Sequence, residues 1–157
     1  MAIIFPNKTI SATQNSINIP NSIIQFVDNT TTISASATTA AWVNVLSTTI
    51  TTSKSNNKIL VEYLMNHRND FGQGAWCLVY HRILVSGAAS GQVMYSGHMG
   101  SASKHIGFFE KSFLYDAATQ GTYTFTASCL AHQGTAWLGS LNSGSTGHYL
   151  RLYEIGT

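Results

Sequence analysis

Residues Lys58 to His67 read KILVEYLMNH. Laid out as a strand, this stretch sends Ile59, Val61, Tyr63 and Met65 to one side and Leu60, Glu62, Leu64 and Asn66 to the other. A strand wet on one face alternates apolar with polar residues. Here one face is wholly apolar and the opposite face is still half apolar, the pattern of a strand covered on both sides. Ala75 to Ser86, AWCLVYHRILVS, repeats the pattern. Two such strands are more than one small sandwich core consumes, so the surplus predicts an oligomer.

Working outward, the composition agrees with an all-β chain. The 157 residues suffice for one domain that folds without disulfides or metals. Charged residues make up 9%, against roughly 25% in an ordinary soluble domain. The polar remainder is dominated by Ser, Thr and Asn, which suit strands and turns better than helices. Strands are expected at Ser22–Val27, Thr30–Ser36, Ala41–Thr52, Lys58–His67, Ala75–Ser86, Gln92–Tyr95, Gly107–Tyr115, Gly121–Ala131, Thr135–Leu141 and His148–Ile155. The cleanest alternation is in Gly121–Ala131, with Tyr123, Phe125, Ala127 and Cys129 on one face and Thr122, Thr124, Thr126 and Ser128 on the other. Ser96 to His105 reads as a Gly/Ser loop, and Asn142 to Gly147 as a turn. Antiparallel strands drawn from these ten segments, about eight to nine in all, predict a β-sandwich or jelly roll over residues 21–157.

Residues 1–20 are different. Ile3, Ile4, Phe5, Ile10, Ile17 and Ile19 are strung irregularly among polar residues, with Pro6 and Pro20 keeping the segment extended. Two readings stay open: a short edge strand on the parent domain, or an extended N-terminal arm whose apolar side chains attach it to a neighbouring subunit.

The chemistry is mostly one of absences. A net charge of +2 with scattered Lys and Arg does not point to nucleic acid. No secretory leader and no apolar run of about 18 residues is visible, so no membrane partner is expected and the protein is expected to fold in a cytosol. His67, His81, His98, His105, His132 and His148 lack ligand spacing, so no cofactor or metal is expected. No serine sits in a G-x-S-x-G setting, and neither Cys77 nor Cys129 has a motif linking it to a base. A bridge between those cysteines needs neighbouring strands, and a reducing compartment argues against it. Glu62 with Asp70, and Glu110 with Asp116, lie close in sequence, but a glycosidase needs its carboxylates across a cleft. Glu62 is expected to be a paired or interface carboxylate within reach of Arg82 or Arg151. Trp42, Trp76 and Trp137 read as core residues, with sugar stacking as the alternative. The chain is thus expected not to be an enzyme.

Three segments, KSNNKILVEY at 54–63, LYDAATQGTYTFTAS at 114–128 and HYLRLYEIG at 148–156, together resemble small virion structural proteins of tailed phages. The opening MAIIFP is similar to the start of such chains. The likeness covers about Ile33 to Gly156 and rests on strand signatures, not on an active site. It implies a jelly-roll sandwich like the heads of complement and tumour-necrosis-factor trimers. One strand face would then pack the sandwich while Leu60, Glu62, Leu64, Tyr80 and Arg82 lie at the homotrimer interface. It further implies a capsid decoration (cement) protein on the outer surface of the virion, assembled in the host cytoplasm. Its partners would be the major capsid protein or neighbouring virion subunits. The alternative is a receptor- or glycan-binding head domain of a phage fibre, and only there would a glycan be a partner.

Overall fold

Every described strand of the chain pairs antiparallel. The computed structural model describes residues 2–5, 8–11, 21–31, 35–38, 41–70, 77–100, 104–131, 135–138 and 148–157. They hold twelve strands: β1 (Ala2–Phe5), β2 (Lys8–Ser11), β3 (Ile23–Thr31), β4 (Ala35–Thr38), β5 (Val43–Thr51) and β6 (Lys58–Asp70), then β7 (Cys77–Gly87), β8 (Gly91–Gly100), β9 (Lys104–Asp116), β10 (Thr122–Ala131), β11 (Thr135–Leu138) and β12 (His148–Ile155). No helix occurs among the described residues, and so none long and apolar enough to cross a membrane.

The strands form a β-sandwich of two sheets. One has the order β5-β10-β7-β8, and the other β3-β12-β6-β11-β4 with β9 on the far edge of β6. β6 is the spine of the larger sheet. β9 runs along all thirteen of its residues, while β12 covers Lys58 to Leu64 and β11 covers His67 to Asp70 on the opposite edge. Among the eight longest strands, β3 pairs with β12, β5 with β10, β6 with β9, and β7 with β8. The first thus meets the last, the second the seventh, and so inward.

The core lies between the sheets and is built from the faces that alternation selects. Ile59, Val61, Tyr63 and Met65 of β6 are fully buried, as are Tyr123, Phe125, Ala127 and Cys129 of β10 and Leu150 and Leu152 of β12. Val79, Ile83 and Val85 of β7 complete it. At about 1.5–3 kcal/mol for each large apolar side chain, this burial is the main driving force. The edge between β3 and β5 is stitched by Asn29 Nδ2 donating to the Ser47 carbonyl at 2.8 Å, and Thr48 Oγ1 donates to the Leu150 carbonyl at 3.0 Å.

Two turns show their residue choice directly. Asn56 has φ 64°, a left-handed conformation that Asn tolerates. Gly87 has φ 100°, and a Cβ there would fall 2.2 Å from the Thr122 carbonyl oxygen, so only glycine fits.

Several expectations are corrected. Ser96 to His105 is not one loop: β8 continues to Gly100 and β9 starts at Lys104, because the ladders to β7 and β6 override a Gly/Ser composition. The second strand begins at Ala35, while Thr30 and Thr31 end β3. The reading against a cysteine bridge is not among these corrections: Cys129 is a free buried thiol, opposite His81 in the β7–β10 ladder. In the N-terminal segment, β1 folds back on β2 with Ile3 opposite Ile10, as a two-stranded sheet of its own. Ile17, Ile19, Trp76 and the turn at 142–147 lie outside the described residues.

Candidate functional site

The sandwich has two outer faces, and they differ in chemistry. All six acidic residues of the chain sit in β3, β6, β9 and β12. In β5, β7, β8 and β10, Arg82 is the sole Asp, Glu, Lys or Arg.

Register lays the outer face of the larger sheet out in rows across β3, β12, β6 and β9. Phe26, Tyr153, Leu60 and Leu114 form an apolar row. Asp28, Arg151, Glu62 and Ser112 form the row beside it, then Thr30, Tyr149, Leu64 and Glu110. Phe26 stacks on Tyr153 at 4.7 Å yet stays 50% exposed, and Leu114 is 55% exposed. An apolar row in water, rimmed by charges, is the composition of a contact surface.

The charged row is internally organised. Arg151 Nε lies 3.2 Å from Asp28 Oδ1, and its guanidinium sits 4.1 Å above the Tyr149 ring. Tyr153 donates to Glu62 Oε2 at 2.9 Å, and Tyr149 to Glu110 Oε1 at 3.1 Å. Burial and these hydrogen bonds push both phenols upward, so each remains a donor. Glu62 and Glu110, distant in sequence, line one open depression of about 360 Å³ with Lys111, Ser112 and Tyr149.

The expected interface residues do not share a surface. Leu60, Glu62 and Leu64 belong to the outer face just described, whereas Tyr80 and Arg82 of β7 lie on the outer face of the other sheet. Arg82 is therefore not the partner of Glu62; Arg151 is its cross-strand neighbour, and Tyr153 donates its hydrogen bond. Phe26, Leu114 and Tyr153 belong to the face and were missed, because their alignment is set by pairing between distant strands.

On the smaller sheet, hydroxyls of β5 and β10 pair across the ladder: Thr51 with Thr122 at 2.9 Å, Thr49 with Thr124 at 2.9 Å, and Ser47 with Thr126 at 3.2 Å. Ser128 Oγ donates to Asn44 Oδ1 at 2.8 Å. Beside this ladder the face turns aromatic. The Arg82 guanidinium lies 4.3 Å from the Trp42 ring centre, Tyr95 meets Trp42 edge-on at 6.2 Å, and Tyr80 stacks on Tyr95 at 5.5 Å. Trp42, expected in the core, is thus a surface residue and only half-buried. The side chains of Trp76 and Trp137 lie outside the described residues.

The buried polar groups serve the core. Tyr63 Oη and Cys129 Sγ lie 3.1 and 3.2 Å from His81 Nδ1, and His81 stacks flat on Phe109 at 4.2 Å. Burial pushes the Cys129 thiol up to about 12, with the Tyr63 hydrogen bond opposing, and also raises Tyr63. Both keep their protons, so the thiol is no nucleophile. Among the described residues, no three His, Cys, Asp or Glu converge as metal ligands.

No family model matches the chain, and no curated protein matches it in sequence. A chain from the structure of infectious bursal disease virus Gx strain is similar over 96% of this chain, at 11% identity and a TM-score of 0.47, and this chain spans 43% of that one.

Proposed function

We propose that this chain is a non-enzymatic structural protein of a tailed-phage virion, a homotrimeric decoration protein that reinforces the outer surface of the capsid. The observation carrying the reading is the outer face of the larger sheet. Its Phe26–Tyr153–Leu60–Leu114 row exposes apolar surface that a second copy would cover, with the Asp28–Arg151–Glu62 row to fix register. The first-with-last strand pairing supports a jelly roll of the kind the sequence resemblance implies. In this reading Leu60, Glu62 and Leu64 face the threefold axis. Residues 1–20 reach the capsid protein or a neighbouring subunit, with Ile3, Ile4, Phe5 and Ile10 as anchors. The test is a density map of the virion that carries the protein, beside particles lacking it. Threefold density on the capsid surface is the expected difference. Density confined to the tail would favour a fibre-head protein, a reading that the Trp42–Tyr95 surface also suits. Absence from the particle would overturn both.

A further inference from the structure

We infer that the outer face of the β5-β10-β7-β8 sheet is a binding site for an acidic polysaccharide, with Trp42, Tyr80 and Tyr95 as the stacking platform and Arg82 as the anion contact. The platform is contiguous. Register places Asn44, Ser128, Arg82 and Tyr95 in one row across the four strands, with Tyr80 opposite Gly97 just beyond. Gly97 presents no side chain, and a Cβ there would stand 3.4 Å from the Tyr80 ring, so glycine leaves that ring unobstructed. Tyr95 is 52% exposed and is flanked by the half-buried Trp42 and Tyr80. The apolar C–H faces of pyranose rings stack on such surfaces, while their hydroxyls need donors and acceptors at the rim. The rim supplies them: Asn44 accepts from Ser128 and keeps its amide N–H groups, and the paired hydroxyls of β5 and β10 continue the polar strip.

Charge selects the class of sugar. Arg82 is the single formal charge in the four strands, and no carboxylate of the described residues pairs with it. Its Nε is buried without a hydrogen-bond acceptor, so pairing with a ligand carboxylate falls to the terminal nitrogens of the guanidinium. The acidic residues all lie on the other sheet, so this face does not repel a polyanion.

The test is an array of acidic polysaccharides (polyuronates, hyaluronan and polysialic acid) printed beside neutral dextran and cello-oligosaccharides. Titration of the bound species, followed by tryptophan fluorescence, then gives affinities. The full chain should bind at least one acidic polymer and prefer it over the neutral ones. Tyr95→Ala and Arg82→Gln should each weaken that binding at least tenfold, with melting temperature and solution mass unchanged. Arg82→Gln should also erase the preference for acidic over neutral polymer. No binding to any acidic polymer would overturn the inference, as would equal binding of neutral ones that Arg82→Gln leaves intact. A fall in solution mass with Tyr95→Ala would overturn it too, by showing that a second copy covers this face. The inference stands apart from the virion reading: a trimer that ignores acidic glycans defeats only the former, and a glycan-binding monomer only the latter.

Discussion

Glu154 is fully buried, yet it is a carboxylate that keeps its charge. Burial alone pushes its carboxyl up, but donors from Asn57, Ser53 and Gln25 outweigh that and hold it below the usual carboxylate range. Asn57 Nδ2 at 2.6 Å, Ser53 N at 2.7 Å and Ser53 Oγ at 2.8 Å converge on Oε1, and Gln25 Nε2 reaches Oε2 at 2.6 Å. A depressed folded-state pKa means the stabilisation is present above the unfolded value of about 4.3 and is lost as pH falls through the folded value. Glu154→Gln should therefore cost about 2–3 kcal/mol at neutral pH, read as a melting temperature lower by roughly 5–10 °C, with the difference shrinking in acid. Equal melting at neutral pH would show that the network contributes nothing. Cys129 makes a second case. With its thiol at about 12 and buried, iodoacetamide should label the Cys129 peptide only after unfolding, by mass spectrometry of the digest. HYLRLYEI was legible as the closing strand to the residue. The inward turn of Glu154 was not, because its donors come from positions 25, 53 and 57.

At the scale of elements, β6 and β10 were legible because alternation reports the buried face directly, and the inner face of each came out as read. The failure at Ser96–His105 has the opposite cause: Gly and Ser suit a loop when alone, but pairing with β7 and β6 makes them strand. Alternation also says nothing about which sheet a strand joins. β6 and β7 have similar two-faced patterns and lie in different sheets, so Tyr80 and Arg82 were grouped with Leu60 and Glu62 on a surface they do not share. The N-terminal element carries its own prediction. Deleting residues 2–19 should leave a folded trimer that no longer binds particles stripped of the protein, measured by co-sedimentation. Such a truncation removes β1 and β2, which pair only with each other among the described strands. Undiminished binding would mean that the segment is not the attachment arm. Failure to fold would make it part of the domain.

Across the whole molecule, one sheet keeps the acidic residues and an exposed apolar row, and the other keeps hydroxyls, aromatics and one arginine. That division was hidden in the sequence, where charges look scattered, because only the strand order sorts them. The two proposals divide along it, with assembly through the first face and ligand binding on the second. Surface ion pairs such as Lys58–Asp116 at 3.3 Å add little to either role, being exposed and screened. The assembly claim meets its sharpest test in light scattering coupled to size exclusion at micromolar concentration. Three chains of 17.0 kDa should elute as a particle of about 51 kDa. Leu114→Glu, altering a side chain that is 55% exposed in the single chain, should leave the fold within about 0.5 kcal/mol but place an unpaired charge in the contact, yielding a folded 17.0 kDa monomer. A stable, soluble monomer from the unaltered chain, or a trimer indifferent to Leu114→Glu, would contradict assembly through this face.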